Sequence, residues 1–176
     1  VLWVADSIGG ALLRVDPTTQ KVVEVALAGL PSGVAFTPDG VWVSIAPNSV
    51  ARIDPTGQSL VFTTQVGGGP TSVVSTFGSV WVANRLDGTV TRLEPSTGRV
   101  EATIPVGQGP NALAAAGGSV WVGNELEDTV VAIDPTTNDI GQTVAVGAAA
   151  ASLSSDEEGL WVAVGTSATE HRGGTL

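Results

Sequence analysis

The chain has 176 residues, of which 43% are hydrophobic and 14% are charged, and its formal net charge is −10. This length fits about one domain with a real core, and the composition excludes a disordered chain. The seven basic residues are scattered and form no stripe that could neutralise phosphates, so we expect no nucleic-acid partner. No segment approaches the roughly 18 apolar residues that span a membrane, so we expect no direct membrane insertion.

A tryptophan repeat runs through the chain and organises its predicted elements. The tryptophans are spaced by 39, 39, 40 and 40 residues, and each lies between aliphatic residues of a short apolar strand. They are Trp3, Trp42, Trp81, Trp121 and Trp161. Because all five tryptophans of the chain occupy this one repeat position, we interpret them as structural markers without a site role.

Each repeat continues with the same elements in the same order. A second strand ends in an acidic residue and a proline, as in Asp16-Pro17, Asp54-Pro55, Glu94-Pro95 and Asp134-Pro135. Proline presets φ for a turn, and the carboxylate before it can accept a hydrogen bond from the turn backbone. A third strand, a glycine-containing turn and a strand of small residues then lead back to the next tryptophan.

Each period therefore holds four short strands, and a four-stranded unit of about 40 residues is typical of a β-propeller blade. The tryptophan strand is apolar without interruption, which indicates cover on both faces by neighbouring blades. A β-solenoid needs shorter rungs, and a sandwich would not repeat so faithfully. The predicted fold class is all-β, a β-propeller of four-stranded antiparallel blades.

The blades can be counted along residues 1–165 in chain order. Residues 1–28 supply three strands of a partial blade, and 151–164 supply the first two strands of another. Complete blades are predicted at 32–66, 71–106 and 111–146, and 166–176 is predicted to be a linker and the start of a following domain. We expect an open arc of a longer protein whose exposed edges associate with other copies. A strained four-bladed ring with one surplus strand is the alternative.

Enzyme signatures are weak in this sequence. The only histidine is His171, outside the repeats, and there is no cysteine, so no zinc or iron site can be built. Gly67-Gly68-Gly69 lacks the lysine of a phosphate-binding loop and fits an interblade turn. We therefore predict no enzyme activity, no catalytic residue, no metal site and no cofactor.

Polar residues gather in the loops that follow two of the tryptophan strands. These candidate ligand-binding residues are Asn84, Arg85, Asp87, Asn124, Glu125 and Glu127. In a propeller these loops emerge on one face, and convergent loops on a rigid scaffold are where ligands bind. The alternative is that the asparagines and aspartates only close the turns.

The repeat that begins at residue 80 resembles the YVTN-type β-propeller family. Val80-Trp81-Val82-Ala83-Asn84 takes the place of the name-giving tetrapeptide, and Asp87-Gly88-Thr89-Val90 and Pro95-Ser96-Thr97-Gly98 follow in register. The resemblance covers nearly all of 1–165 and implies a binding or recognition scaffold. The repeats are also similar to those of streptogramin lyases, which use histidine and glutamate with Mg²⁺, but no histidine lies within a blade here.

The tail Arg172-Gly173-Gly174-Thr175-Leu176 resembles the opening strand of extracellular solute-binding proteins of bacterial transporters. Together the resemblances imply a non-catalytic propeller binding module of a larger bacterial envelope protein, located outside the cytoplasm and preceding a transporter solute-binding domain. Its protein or small-molecule ligand is not indicated. Two alternatives stay open: a fragment of a streptogramin-lyase-like enzyme, or the sensor domain of a membrane-bound signalling protein.

Overall fold

The structure is a computed structural model and describes residues 1–56 and 59–165. These residues form seventeen β-strands and no helix. The strands are β1 (Leu2–Asp6), β2 (Ala11–Val15), β3 (Val22–Ala26), β4 (Pro31–Thr37), β5 (Gly40–Ile45), β6 (Ser49–Ile53), β7 (Leu60–Gln65), β8 (Pro70–Thr76), β9 (Ser79–Asn84), β10 (Thr89–Leu93), β11 (Val100–Pro105), β12 (Pro110–Ala116), β13 (Ser119–Asn124), β14 (Thr129–Ile133), β15 (Ile140–Ala145), β16 (Ala149–Ser155) and β17 (Leu160–Gly165). The predicted linker at 166–176 lies outside the described residues.

The strands form five antiparallel sheets in chain order. Three of them have four strands, β4–β7, β8–β11 and β12–β15, while β1–β3 form a three-stranded sheet and β16–β17 a two-stranded one. We number these sheets as blades one to five. The predicted all-β fold, with three complete blades and partial blades at both ends, is confirmed.

The innermost strands β4, β8, β12 and β16 lie side by side. The hydroxyl of Ser32 on β4 donates to the carbonyl of Pro70 at 2.8 Å, and the hydroxyl of Ser44 donates to the carbonyl of Thr71 at 2.8 Å. A Cβ added to Gly33 would collide with the carbonyl oxygen of Thr71. Small residues therefore fill these strands because successive backbones approach closely and hydroxyl groups tie them together.

Between the central blades, the tryptophan strands β5 and β9 are packed on both of their faces. Val41 and Val43 of β5 pack with Leu12 of blade one, whereas Trp42 packs with Val80 and Val82 of blade three. Every residue of β5 and of β9 is buried. The cover on both faces that the uninterrupted apolar run predicts is thus confirmed in the central blades.

The tryptophans share a repeat position but differ in environment. The side chains of Trp42 and Trp81 are 0% exposed, whereas Trp161 in β17 is 58% exposed. Trp3 and Trp121 are partly buried. A central tryptophan is therefore a core residue between two blades, while Trp161 has little packing on its outer side.

The acidic residues before the prolines close their turns as predicted. Backbone N–H groups donate to these carboxylates, from Thr18 to Asp16 at 2.9 Å, from Ser96 to Glu94 at 2.8 Å and from Thr136 to Asp134 at 2.7 Å. The pKa of Glu94 falls from its ordinary 4.5 to about 2, mainly because the Thr97 hydroxyl donates to the carboxylate. The pKa values of the equivalent aspartates are also lowered, at Asp54 and Asp134 mainly by a threonine hydroxyl and at Asp16 mainly by the backbone N–H of Thr19.

We expect Trp81→Ala to lower the free energy of unfolding by about 3–5 kcal/mol, because it removes buried surface and leaves a cavity between blades. Trp161→Ala changes the same repeat position where the side chain is largely exposed, and should cost much less. Urea denaturation followed by circular dichroism measures both. Equal losses for the two variants would contradict the assignment of Trp81 to an interblade core.

The Glu94 turn should make stability depend on pH. Because the folded-state pKa of about 2 lies below the ordinary 4.5, this stabilisation is fully present above pH 4.5 and is lost as the pH falls towards 2. Glu94→Gln should therefore lower the urea midpoint at neutral pH and match the wild type near pH 2. Glu24→Gln is the control, because it removes an exposed carboxylate whose side chain makes no hydrogen bond in the described part of the chain, and it should leave the urea midpoint at neutral pH unchanged.

Candidate functional site

One face of the blades is built from two sets of loops, which we call the loop face. The first set follows the tryptophan strands at residues 7–10, 46–48, 85–88 and 125–128, and the second connects successive blades at 27–30, 66–69, 106–109 and 146–148. Backbone hydrogen bonds join the two sets, from Arg85 to Gly69 at 2.9 Å and from Glu125 to Gly109 at 3.0 Å. The loop face is therefore held in place by its own main chain.

Asn84 and Asn124 are buried at 0% exposure and brace these loops from inside. The amide of Asn84 donates to the hydroxyls of Thr89 at 3.0 Å and Thr91 at 2.8 Å. The amide of Asn124 donates to the carbonyl of Val106 at 2.6 Å. The amide of Asn84 thus bonds within its own blade, whereas that of Asn124 reaches the interblade loop 106–109.

Arg85 and Glu125 are the predicted site residues that meet across a blade boundary. The guanidinium of Arg85 donates to one carboxylate oxygen of Glu125 from two nitrogens, at 3.0 and 2.9 Å. The amide of Asn111 approaches the same oxygen at 3.4 Å. Both charged side chains are only partly exposed. With the amide of Asn111 they form a polar cluster where blades three and four meet.

Asp87 and Glu127 lie above the interblade glycines. Asp87 accepts a hydrogen bond from the backbone N–H of Gly68 at 2.7 Å. A Cβ added to Gly107 would meet the carboxylate of Glu127 and the amide of Asn124. Of the six predicted residues, the structure therefore brings Arg85 and Glu125 together and uses the others to close or brace loops. Their contact with a ligand stays a prediction.

A cleft of about 310 Å³ opens on the loop face beside Arg85. Blades one to three contribute to its lining, which includes Ser7, Leu30, Ala46, Pro70, Arg85 and Leu86. Only Arg85 of this set was predicted from the sequence, because the prediction was based on charged and amide side chains. The repeat could have indicated three of the others, since Ser7, Ala46 and Leu86 all follow a tryptophan strand.

Exposed apolar side chains recur at one position of these loops. Ile8 is 94% exposed, Leu86 is 76% exposed and Leu126 is 62% exposed, and each lies five residues after its tryptophan. Leu86 and Leu126 lie over Gly69 and Gly109 of the adjoining interblade loops. We call these three residues the apolar row. Single exposed leucines are ordinary, but a row at matching positions on one face is typical of an interaction surface.

Residues 1–56 and 59–165 contain no group of three or more histidine, cysteine, aspartate or glutamate side chains arranged to hold a metal ion. Within the same ranges, no helix is long and apolar enough to cross a membrane.

The fold and loop face define a propeller-like repeat protein, and comparison with solved structures agrees. The chain is similar to Kuenenia stuttgartiensis hydrazine synthase, with a TM-score of 0.73 and 21% identity over 80% of this chain and 44% of that one. It is similar to a chain of the mitotic checkpoint complex, with a TM-score of 0.73 and 14% identity over 82% of this chain and 47% of that one. The chain thus spans less than half the length of both.

A computationally designed protein, Ika4, is also similar, with a TM-score of 0.67 and 16% identity over 79% of this chain and 93% of the designed one. At these identities the likeness concerns the fold alone. No protein-family profile and no curated protein matches the sequence.

The two kinds of polar residue on the loop face should differ in their effect on stability. Asn84→Ala removes two buried hydrogen bonds and leaves threonine hydroxyls without that donor, so we expect a loss of about 1–3 kcal/mol. Glu125→Ala removes one half of a partly exposed ion pair and should cost about 1 kcal/mol or less. Urea denaturation measures both, and an equal loss for Glu125→Ala would contradict the assignment of Asn84 as the bracing residue.

Proposed function

We propose that the chain is a non-catalytic binding module of the YVTN-type propeller class within a larger bacterial envelope protein, located outside the cytoplasm. In this proposal it precedes a transporter solute-binding domain. The sequence resemblances described above support the envelope context. The loop face supports the binding role, and the apolar row is the observation that carries it.

The ligand we favour is a polypeptide. A polypeptide surface presents apolar side chains to Ile8, Leu86 and Leu126 and polar groups to the charged pair of Arg85 and Glu125. Interfaces commonly combine an apolar centre with a polar rim. The 310 Å³ cleft between the loops has room for a single anchoring side chain.

The scaffold supports this role because the binding groups are in place before a ligand arrives. The loops are fixed by main-chain hydrogen bonds, and every residue of the strands β5 and β9 is buried. Binding would then require little ordering of the loops, which favours affinity.

The experiment is a selection of phage-displayed random peptides on the immobilised chain, followed by affinity measurement of the recovered peptides. Leu86→Ser should weaken their binding by about tenfold, because it removes an exposed apolar contact without touching the core. Leu60→Ser is the matched control, since Leu60 is an exposed leucine on the outer strand β7. We expect that control to bind as the wild type does.

Failure to recover any binding peptide would contradict the proposed function. If the affinity of the recovered peptides falls equally in Leu86→Ser and Leu60→Ser, the peptides do not bind at the loop face. Arg85→Gln, compared with Lys21→Gln, then tests the charged pair, since both changes remove one positive charge. Lys21 lies in a turn at the opposite ends of the strands from the loop face. Its substitution is the reference for the loss of one positive charge away from the proposed site.

A further inference from the structure

One position of the strand that follows the tryptophan strand carries arginine in blades one to three and alanine in blade four. The arginines are Arg14 on β2, Arg52 on β6 and Arg92 on β10, and the fourth residue is Ala132 on β14. Arg52, Arg92 and Ala132 pair with the tryptophans of the neighbouring strands, Trp42, Trp81 and Trp121. The position therefore lies against the tryptophan in each complete blade.

Arg52 and Arg92 join their own blade to the next one. Arg52 donates to the carbonyls of Pro95 at 2.9 Å and Ser96 at 3.1 Å, both in the outer turn of blade three. Arg92 donates to the carbonyl of Pro135 at 2.6 Å and to the side chain of Asn138 at 3.0 Å in blade four. Each guanidinium thus fills the space between two blades.

An aromatic ring lies beneath each of these guanidinium groups. The carbon of the Arg92 guanidinium is 5.0 Å from the centroid of the Trp81 ring, and that of Arg52 is 5.1 Å from the Phe62 ring. These distances are typical of a cation–π interaction, which is strongest with tryptophan and stronger still when water is excluded. Blades two and three therefore each contain a site for a guanidinium group, and the chain's own arginine occupies it.

In blade four no described side chain takes the place of the arginine beside the tryptophan. Ala132 replaces the arginine, and Gly141 stands where blade three has Glu101, whose carboxylate lies 3.3 Å from Arg92. A cavity of about 480 Å³ opens there, lined among others by Trp121, Ala132, Asp134 and Gly141. Ala132 and Gly141 lack the large side chains of their counterparts, and the described part of blade five has only β16 and β17, without the outer turn that covers Arg52 and Arg92 in the earlier blades.

The indole of Trp121 is held as that of Trp81 is. Its N–H donates to the carbonyl of Ala116 at 3.2 Å, and the N–H of Trp81 donates to the carbonyl of Thr76 at 3.2 Å. Trp121 lines the cavity without an arginine of its own blade above it. An aromatic surface suited to a cation is thus retained where the cation is missing.

The polar lining of the cavity is also suited to a guanidinium. Thr136 and Thr137 donate to one oxygen of Asp134, which leaves its second oxygen without a donor among the described residues. Ser119 stands where Ser79 accepts a hydrogen bond from Arg92 at 2.9 Å in blade three, and Gln142 adds a further carbonyl. None of the described residues that line the cavity is basic, so the charge favours a cation.

We propose that the cavity between blades four and five binds a guanidinium group, which stacks on Trp121 and donates hydrogen bonds to Asp134 and Ser119. The group belongs either to a small organic cation or to an arginine side chain of a partner polypeptide. The cavity lies beside the turns at the opposite strand ends from the loop face, so this site is independent of the function proposed above.

The test uses the full chain with two probes, ethylguanidinium chloride and the amide of the tripeptide Gly-Arg-Gly, at low millimolar concentration. Calorimetry gives the affinity, and nuclear magnetic resonance of the five indole N–H groups locates the site. We expect saturable binding of at least one probe that shifts the Trp121 signal and leaves the Trp81 signal in place. Urea and sodium chloride at the same concentrations control for denaturant and salt effects.

Two substitutions at one position separate occupancy of the cavity from damage to the blade. Ala132→Arg places the missing side chain in the cavity and should weaken probe binding by about tenfold or more. Ala132→Ser leaves the cavity open and should bind as the wild type does. Equal affinities of these two variants would overturn the proposal, as would the absence of saturable binding to the wild type.

Arg92→Ala supplies the reciprocal test by emptying the equivalent site of blade three. This variant should bind a second equivalent of ethylguanidinium, with a shift of the Trp81 signal. Binding of only one equivalent to the folded variant would show that an emptied site does not take up the cation, and would count against the proposal. If the variant does not fold, the pair of substitutions at Ala132 decides.

The two probes separate the two sources of the group. Saturable binding of ethylguanidinium with no gain for the tripeptide supports a small organic cation as ligand. Binding of the tripeptide about tenfold more tightly supports an arginine side chain of a partner polypeptide, because the flanking backbone then adds contacts. Failure of both probes overturns the site.

Discussion

The packing of one blade against the next is the constraint on which the rest of the structure depends. A single four-stranded sheet of this composition would expose two apolar faces to water, and a sheet of this size gains stability only when its faces are covered. Alternating residues of the tryptophan strand supply this cover in both directions. Val41 and Val43 face blade one while Trp42 faces blade three, so one strand contributes to two cores at once. This is why the segment Val41-Trp42-Val43 contains no polar residue.

Once the blades are stacked, polar side chains of one blade lie within hydrogen-bond distance of the backbone of the next blade. The hydroxyls of Ser32 and Ser44 reach carbonyls of the adjacent inner strand, and Arg52 and Arg92 reach the outer turn of the next blade. A hydrogen bond to a fixed carbonyl stabilises a blade contact only if the carbonyl is held in place. The carboxylates of the outer turns hold it, because they bind the turn backbone directly. The outer turns and the arginines therefore act together to stabilise the contact between successive blades.

The sequence predicted the parts of the fold that repeat with an unmistakable side chain. Trp42 and Trp81 marked buried strands, and Glu94 marked a turn whose carboxylate binds its own backbone. The environment of Trp161 could not be read from its repeat position, because its exposure depends on what packs against β17. A sequence pattern predicts a strand, whereas the burial of a residue in that strand depends on which neighbouring elements pack against it.

The candidate site was predicted less completely than the fold, for a physical reason. Asn84 and Asn124 have the chemistry of ligand-binding residues, yet their amides donate to threonine hydroxyls of the same blade and to a backbone carbonyl of an interblade loop. Whether an asparagine faces solvent or its own turn depends on side-chain direction, which residue type does not determine. The exposed Leu86 carried no polar signal and was passed over, although its repeat position placed it on the same face.

Differences between repeats are more informative about binding than the features they share. A residue that occurs in every blade is explained by the packing that every blade needs, as the tryptophans are. Where one blade departs from the others, the shared packing no longer explains the change. Trp121 keeps the hydrogen bond of its counterpart Trp81, whereas the arginine above that counterpart has become Ala132. The loss of the arginine at position 132, and not the shared tryptophan, is thus the feature that the packing of the repeat does not explain.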